Sequence, residues 1–280
     1  MNYTLNIKGR LMDLAEPKVM GILNATPDSF YSASRMQTEE AMAERANRIV
    51  QEGAHVIDVG ACSTRPGSEP VSQEEEMRRL RVALDVVRRE LPYSVVSVDT
   101  FRPDVARMAV EEFGADIVND VSGGTPEMFR MAARLDVPYV LTSTEPDLRQ
   151  SLLSLAIKVQ QLRDFGQKDI VIDPGFGFGK PQGDDGSDAN FALMARLEQL
   201  SVLELPLLVG ISRKSMIYRL LGITPADALN GTTALNMVAL MKGASLLRVH
   251  DVKEAVECVK LFGALRTGSE VTLRTGNEVV

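Results

Sequence analysis

Four residues in this chain of 280, Asp99, Asn119, Asp173 and Lys214, stand where short apolar runs stop, and their types suit recognition of a flat polar ring. Two carboxylates and a carboxamide can accept from the N–H edge of a ring such as a pterin or a guanine, while Lys214 supplies a balancing cation. A buried carboxylate is costly unless cations or N–H donors satisfy it, so a structural salt-bridge cluster competes with this reading for any single Asp and Lys. Four such residues on neighbouring strand ends favour a binding pocket. Arg248 and His250, two apart, form a second group with Asn24. Arg offers a bidentate fork to phosphate, so the implied guest is a diphosphate. Magnesium arriving with it would keep most of its ligands as water and phosphate oxygen.

Eight apolar runs must position these groups: Lys18–Leu23, His55–Val59, Ser94–Val98, Asp116–Val118, Pro138–Leu141, Asp169–Ile172, Leu205–Ile211 and Ser245–Leu247. Continuous Val/Ile/Leu stretches are the mark of parallel strands covered by helices on both faces. Eight of them alternating with helical segments predict an α/β fold, the TIM (β/α)8 barrel, whose active site lies at the C-terminal ends of its strands. Thr4–Asp13 alternates around Lys8-Gly9-Arg10 and predicts an N-terminal β-hairpin plugging the barrel floor. Ser72 with Glu75 is a capping-box pattern, Pro103 and Pro126 suit first helical positions, and Asp188 suits a helix cap. A turn at Leu221–Pro225 precedes a helix from about Thr232 to Lys242. Thr26–Gln37 and Ser63–Ser72 read as mobile rim loops, and the polar tail from Thr267 as frayed. The length fits a single barrel domain over residues 1–280.

The formal charge of −7 argues against nucleic acid and anionic membrane as partners, because both need a basic field. No run approaches the ~18 apolar residues of a membrane span, and no leader pattern opens the chain. Two cysteines, Cys62 and Cys258, give no disulfide framework and fit a reducing, cytoplasmic setting. With only His55 and His250 and no paired Cys, zinc is a poor expectation. Ser212 and Ser215 have no neighbouring His base, which argues against a nucleophilic triad. Gly175-Phe-Gly-Phe-Gly-Lys180 matches neither nucleotide-binding glycine motif. Its glycines are better read as bending the rim loop, with Phe176 or Phe178 facing a flat ligand.

Several segments together resemble a known family. They are Met20-Gly-Ile-Leu-Asn-Ala-Thr-Pro-Asp-Ser-Phe30, Ile57-Asp-Val-Gly60 with Ser63-Thr-Arg-Pro-Gly67, Ser97-Val-Asp-Thr100, Asn119-Asp-Val-Ser-Gly123, Asp173-Pro-Gly-Phe-Gly-Phe-Gly-Lys180, Gly210-Ile-Ser-Arg-Lys-Ser-Met216 and Arg248-Val-His-Asp-Val252. In this order they resemble the dihydropteroate synthases, folate-pathway enzymes inhibited by sulfonamides. The resemblance implies a transferase that joins 4-aminobenzoate to 6-hydroxymethyl-7,8-dihydropterin diphosphate, releasing diphosphate, with Mg2+ as cofactor and a homodimer built on the last helices. It implies pterin contacts from Asp99, Asn119, Asp173 and Lys214, and diphosphate and magnesium contacts from Arg248, His250 and Asn24. Thr64 and Arg65 match its second loop, Asp28 and Phe30 its first, and Phe178, Lys214 and Ser212 its aminobenzoate entrance. The fifth run departs from the pattern: Leu141-Thr-Ser-Thr-Glu-Pro146 stands where the family has a Met-His pair, and the stretch to Asp173 is short. Loop one lacks the usual Asp-Gly-Gly. The missing pair implies a weaker pocket wall with the charged residues intact. A pterin-binding paralogue without turnover and a pterin-dependent methyltransferase barrel share part of this pattern.

Overall fold

The computed structural model describes residues 3–25, 35–62, 71–179 and 189–267. Asp28, Phe30, Thr64, Arg65, Lys180, Asp188 and the tail beyond Thr267 lie outside them. A hairpin of β1 (Thr4–Ile7) and β2 (Arg10–Asp13) opens the fold. Eight parallel strands follow: β3 (Lys18–Asn24), β4 (Val56–Gly60), β5 (Val95–Asp99), β6 (Ile117–Asp120), β7 (Tyr139–Thr142), β8 (Ile170–Asp173), β9 (Leu208–Val209) and β10 (Leu246–Val249). They pair in the order β8-β7-β6-β5-β4-β3-β10-β9, and a parallel bridge between Ile172 and Leu207 closes the ring. This is the (β/α)8 barrel that the run pattern predicts. The seventh strand is shorter than its apolar run, since Pro206 has no N–H for the ladder and offers only its carbonyl, to Ile172.

The helices are α1 (Arg35–Gln51), α2 (Gln73–Glu90), α3 (Pro103–Phe113), α4 (Pro126–Leu135), α5 (Leu148–Asp164), α6 (Ala189–Ala195), α7 (Ser215–Leu221), α8 (Leu229–Met241) and α9 (Val252–Thr267). Ser72 accepts from the Glu75 N–H as the cap of α2, and Pro103 and Pro126 sit in the first turns of α3 and α4. The first rim loop ends sooner than the Ser-rich composition suggests, because α1 already includes Arg35–Gln37.

Strand alternation sorts the barrel into two cores. Val19, Leu23, Ile57, Val59, Val96, Val98, Leu141 and Ile172 face outward under the helices. Met20, Val56, Ile117, Val140, Val171, Leu208 and Leu246 face inward and meet Leu5, Ile7 and Leu14, so the hairpin region seals the floor with apolar atoms. Below that floor, Arg88 donates to Phe113 O at 2.9 Å, Ser94 O at 2.8 Å and Asp116 at 3.0 Å, and Lys8 from the hairpin tip reaches the other Asp116 oxygen at 2.8 Å. This ion cluster is far from the rim, so it serves stability. Arg88→Ala should cost about 3 kcal/mol, a Tm fall of roughly 6–12 °C, with Michaelis constants unchanged. A thermal melt matching wild type would show that Lys8 alone satisfies Asp116.

Candidate active site

The inward face changes character one layer above the floor. Two residues beyond each apolar floor residue the lumen presents Ile22, Asp58, Ser97, Asn119, Thr142, Asp173, Gly210 and Arg248. Arg248 is the hub of this layer. Its Nε donates to Asp58 Oδ2 at 2.6 Å and its Nη2 to Asp99 Oδ2 at 2.5 Å, while Asn119 Nδ2 donates to Asp58 Oδ2 at 3.2 Å. The side chains of Asp58, Asp99 and Arg248 are 0%, 16% and 19% exposed, so the charges must balance locally. Burial pushes the Asp99 carboxyl up to about 7, against the pull of Arg248 and with Asp58, Asp120 and Glu76 adding to the rise. Burial opposes the charge on Arg248, but Asp58 and Asp99 outweigh it and hold the guanidinium more firmly protonated than usual.

Two expectations change here. The cation against Asp99 is Arg248 rather than Lys214, because β10 lies beside β3 and its side chain crosses to β4 and β5. Arg248 thereby spends Nε and Nη2 on the lumen carboxylates, which leaves Nη1 rather than the whole fork for an anion. Asp58 is absent from the sequence-derived site although it sits at the centre of this cluster. Its signal was present: an acidic residue in the middle of a strand buried on both faces requires a partner. Among the described residues, six buried side-chain atoms have no hydrogen-bond partner: Gln167 Oε1 and Asn236 Oδ1, and the four atoms Asp58 Oδ1, Ser97 Oγ, Asn119 Oδ1 and Thr142 Oγ1. The latter four belong to this lumen layer, so the pocket is lined by groups that a polar ligand could satisfy.

Asp173 closes β8 and is 6% exposed; its Oδ1 accepts the Gly175 N–H at 2.7 Å. That bond starts the glycine loop, whose residues 175, 177 and 179 have φ of 72°, 81° and 61°. A Cβ at Gly175 would lie 1.7 Å from Ser143 O, so only glycine lets the loop lie against the end of β7. Of the two rings, Phe176 is wholly buried in the outer core, while Phe178 stays at the mouth. Lys214 Nζ donates to Phe176 O and lies 4.7 Å from the centroid of the Phe178 ring. The entrance thus combines a cation and an aromatic face, suited to a second flat, anionic substrate.

After the neighbouring strands β9 and β10, Ser212 Oγ accepts the His250 backbone N–H at 3.1 Å and lies 3.0 Å from its Nδ1. The hydroxyl gives its hydrogen to Nδ1 when the ring proton sits on Nε2, and accepts from Nδ1–H in the other tautomer. Arg45 from α1 donates to His250 O at 2.6 Å and to Ile22 O at 3.3 Å, tying β10 to β3. Half-buried Asn24 ends β3, in register with Gly60 of β4. Between Ser212 and Lys214, Arg213 has φ of 55° and turns away to grip Asp251 with two bonds of 2.9 and 2.8 Å. That turn returns Lys214 to the mouth. At the end of β7 the altered pair separates: Thr142 faces the lumen, whereas Ser143, just past the strand, turns outward and donates to Ser151 of α5 at 2.9 Å. Only one of the two substitutions therefore reaches the pocket wall.

Residues 20–250 match the pterin binding enzyme family. The chain is 35% identical to the dihydropteroate synthase of Escherichia coli (strain K12) over 280 residues, covering 94% of this chain and 96% of that one. It is 38% identical to the dihydropteroate synthase of Bacillus subtilis (strain 168) over 257 residues, with 88% of each covered. The fold superposes on the Xanthomonas albilineans dihydropteroate synthase solved with 4-aminobenzoic acid with a TM-score of 0.83, at 36% identity over 95% of this chain and 99% of that one. Taken with the polar lumen layer and the cationic mouth, these likenesses settle the assignment: the chain belongs to the dihydropteroate synthase family of pterin binding enzymes.

Proposed function

We propose that this chain condenses 4-aminobenzoate with 6-hydroxymethyl-7,8-dihydropterin diphosphate. The carbon–oxygen bond to diphosphate breaks, a carbon–nitrogen bond to the arylamine forms, and the amine loses a proton. The observation that carries the reading is the buried row of unsatisfied polar atoms on β4 to β7, flanked by Asp99 and Asp173. Asp173, Asn119 and Asp99 would read the N–H donors of the pterin, with Arg248 keeping Asp58 and Asp99 charge-balanced. A neutral arylamine needs no strong base, so binding and leaving-group stabilisation carry the rate. His250, Ser212 and the Arg248 Nη1 that neither carboxylate engages would address the departing diphosphate. Thr64 and Arg65 would join them from the second loop. Phe178 and Lys214 would hold the ring and carboxylate of the aminobenzoate.

Among the described residues no group of three or more His, Cys, Asp or Glu could cage a metal ion. Asn24 nevertheless fits the lone protein ligand of a magnesium ion that is otherwise held by phosphate and water. When bound there, that ion would neutralise charge on the leaving oxygens. The exposed Leu220 and Leu221 of α7, Met241 of α8 and Leu261 and Leu265 of α9 support a homodimer through these helices. Cys62 and Cys258 are both free. No helix among the described residues is long and apolar enough to cross a membrane.

The deciding measurement is diphosphate release from the pterin diphosphate with and without 4-aminobenzoate, with dihydropteroate identified by mass. Release that depends on the amine and yields dihydropteroate is expected. Pterin binding without any product at saturating substrates would overturn the proposal in favour of a binding-only paralogue.

A further inference from the structure

Thr142, at the end of β7, carries polarity that nothing within the described protein uses. Its side chain is wholly buried and Oγ1 has no hydrogen-bond partner. Alternation along β7 fixes its direction: Tyr139 and Leu141 pack in the outer core, Val140 packs in the lumen floor, and Thr142 stands above Val140. Its methyl group faces Gly175, where an added Cβ would come within 3.3 Å of Cγ2. Its backbone neighbour across the ladder is Asp173. Asn119, whose Oδ1 also lacks a partner, lies on the strand to the other side. Hydrogen-bond acceptors therefore follow one another on β6, β7 and β8, with Thr142 level with Asp173 and Asn119 in register with Val140. Burying an unbonded hydroxyl costs folding free energy, and Val would fill the same space without that cost.

We propose that Thr142 Oγ1 is a specificity-determining contact for the pterin ring, accepting one of the two hydrogens of its exocyclic amine while Asp173 takes the other. The inference rests on the pterin reading of the pocket. An amine presents two N–H donors, and a carboxylate that also accepts from Gly175 is poorly placed to take both. The third acceptor completes the set, so a ring lacking that amine leaves Thr142 unsatisfied.

Isothermal titration of wild type and Thr142→Val with 6-hydroxymethylpterin and with its 2-desamino analogue tests this. Thr142→Val should weaken the 2-amino ring about five- to twentyfold and leave the desamino ring within about twofold, while Thr142→Ser stays within about threefold for both. The unliganded valine variant should melt at or above the wild-type temperature, since removing an unbonded hydroxyl relieves a cost. Equal losses for both rings, or no loss for either, overturn the proposal. If the valine variant does not fold, Thr142→Ala replaces it: a lowered preference for the 2-amino ring supports the contact, and a wild-type ratio of the two affinities overturns it. Failure of wild type to bind the 2-amino ring overturns the pterin reading itself, whereas binding with an unchanged ratio removes Thr142 alone.

Discussion

Replacing Arg248 by Ala is expected to destabilise the protein by about 3–5 kcal/mol and to cut turnover by at least about a hundredfold. The guanidinium is the partner of both Asp58 and Asp99, and its removal leaves two buried carboxylates without their cation. The loss should depend on pH in a definite direction. A carboxyl whose pKa is raised on folding holds its proton more tightly in the native state, so its cost is absent below about pH 4, grows as pH rises toward the folded value and is constant above it. For Asp99 that value is already about 7 with Arg248 in place. Without the cation it moves higher, so the gap in Tm between variant and wild type should stay constant below about pH 6 and widen as pH rises through about 7 toward the variant's higher folded value. A gap that does not change with pH would show that Arg248 does not carry the charge balance. Calorimetry should also show diphosphate bound more weakly by ~1.5–3 kcal/mol, and unchanged affinity would remove Arg248 from the leaving-group site.

Asp58→Asn is expected to lower ring affinity by at least about a hundredfold, about 3 kcal/mol, although the segment Ile57-Asp-Val-Gly60 by itself assigns this residue no role. The carboxylate accepts from Arg248 Nε and Asn119 Nδ2 through one oxygen and keeps the other, Oδ1, unpartnered. An amide has one acceptor atom and two donors. With its oxygen toward Arg248 and Asn119, it presents N–H groups where a pterin also presents them; turned over, it sets N–H against the guanidinium. Both arrangements lose a charge-assisted bond and gain a donor facing a donor. Titration with 6-hydroxymethylpterin, beside a thermal melt confirming a folded variant, measures the effect. Affinity within about threefold of wild type would mean that Asp58 serves only to hold Arg248.

The architecture was legible in the chain because its causes are local. Buried parallel strands demand uninterrupted apolar residues, so eight such runs announce the barrel, and the capping of α2 by Ser72 and the prolines opening α3 and α4 are short-range chemistry. The rim positions of Asp99, Asn119, Asp173, Arg248 and His250 follow from the same logic, since each ends a run. Ring closure decided the pairing of charges. Which cation meets Asp99 depends on β10 lying beside β3, and on the positive φ of Arg213 that carries Lys214 toward Phe178 instead. The inward turn of Asp58, the separation of Thr142 from Ser143, and the burial of Phe176 but not Phe178 depend likewise on which face each residue takes once the strands are in register. Residue types and order along the chain determine the strands, the helices and the inventory of the site. Contacts across the lumen join residues up to 190 positions apart, and no local pattern can encode their partners before the barrel closes.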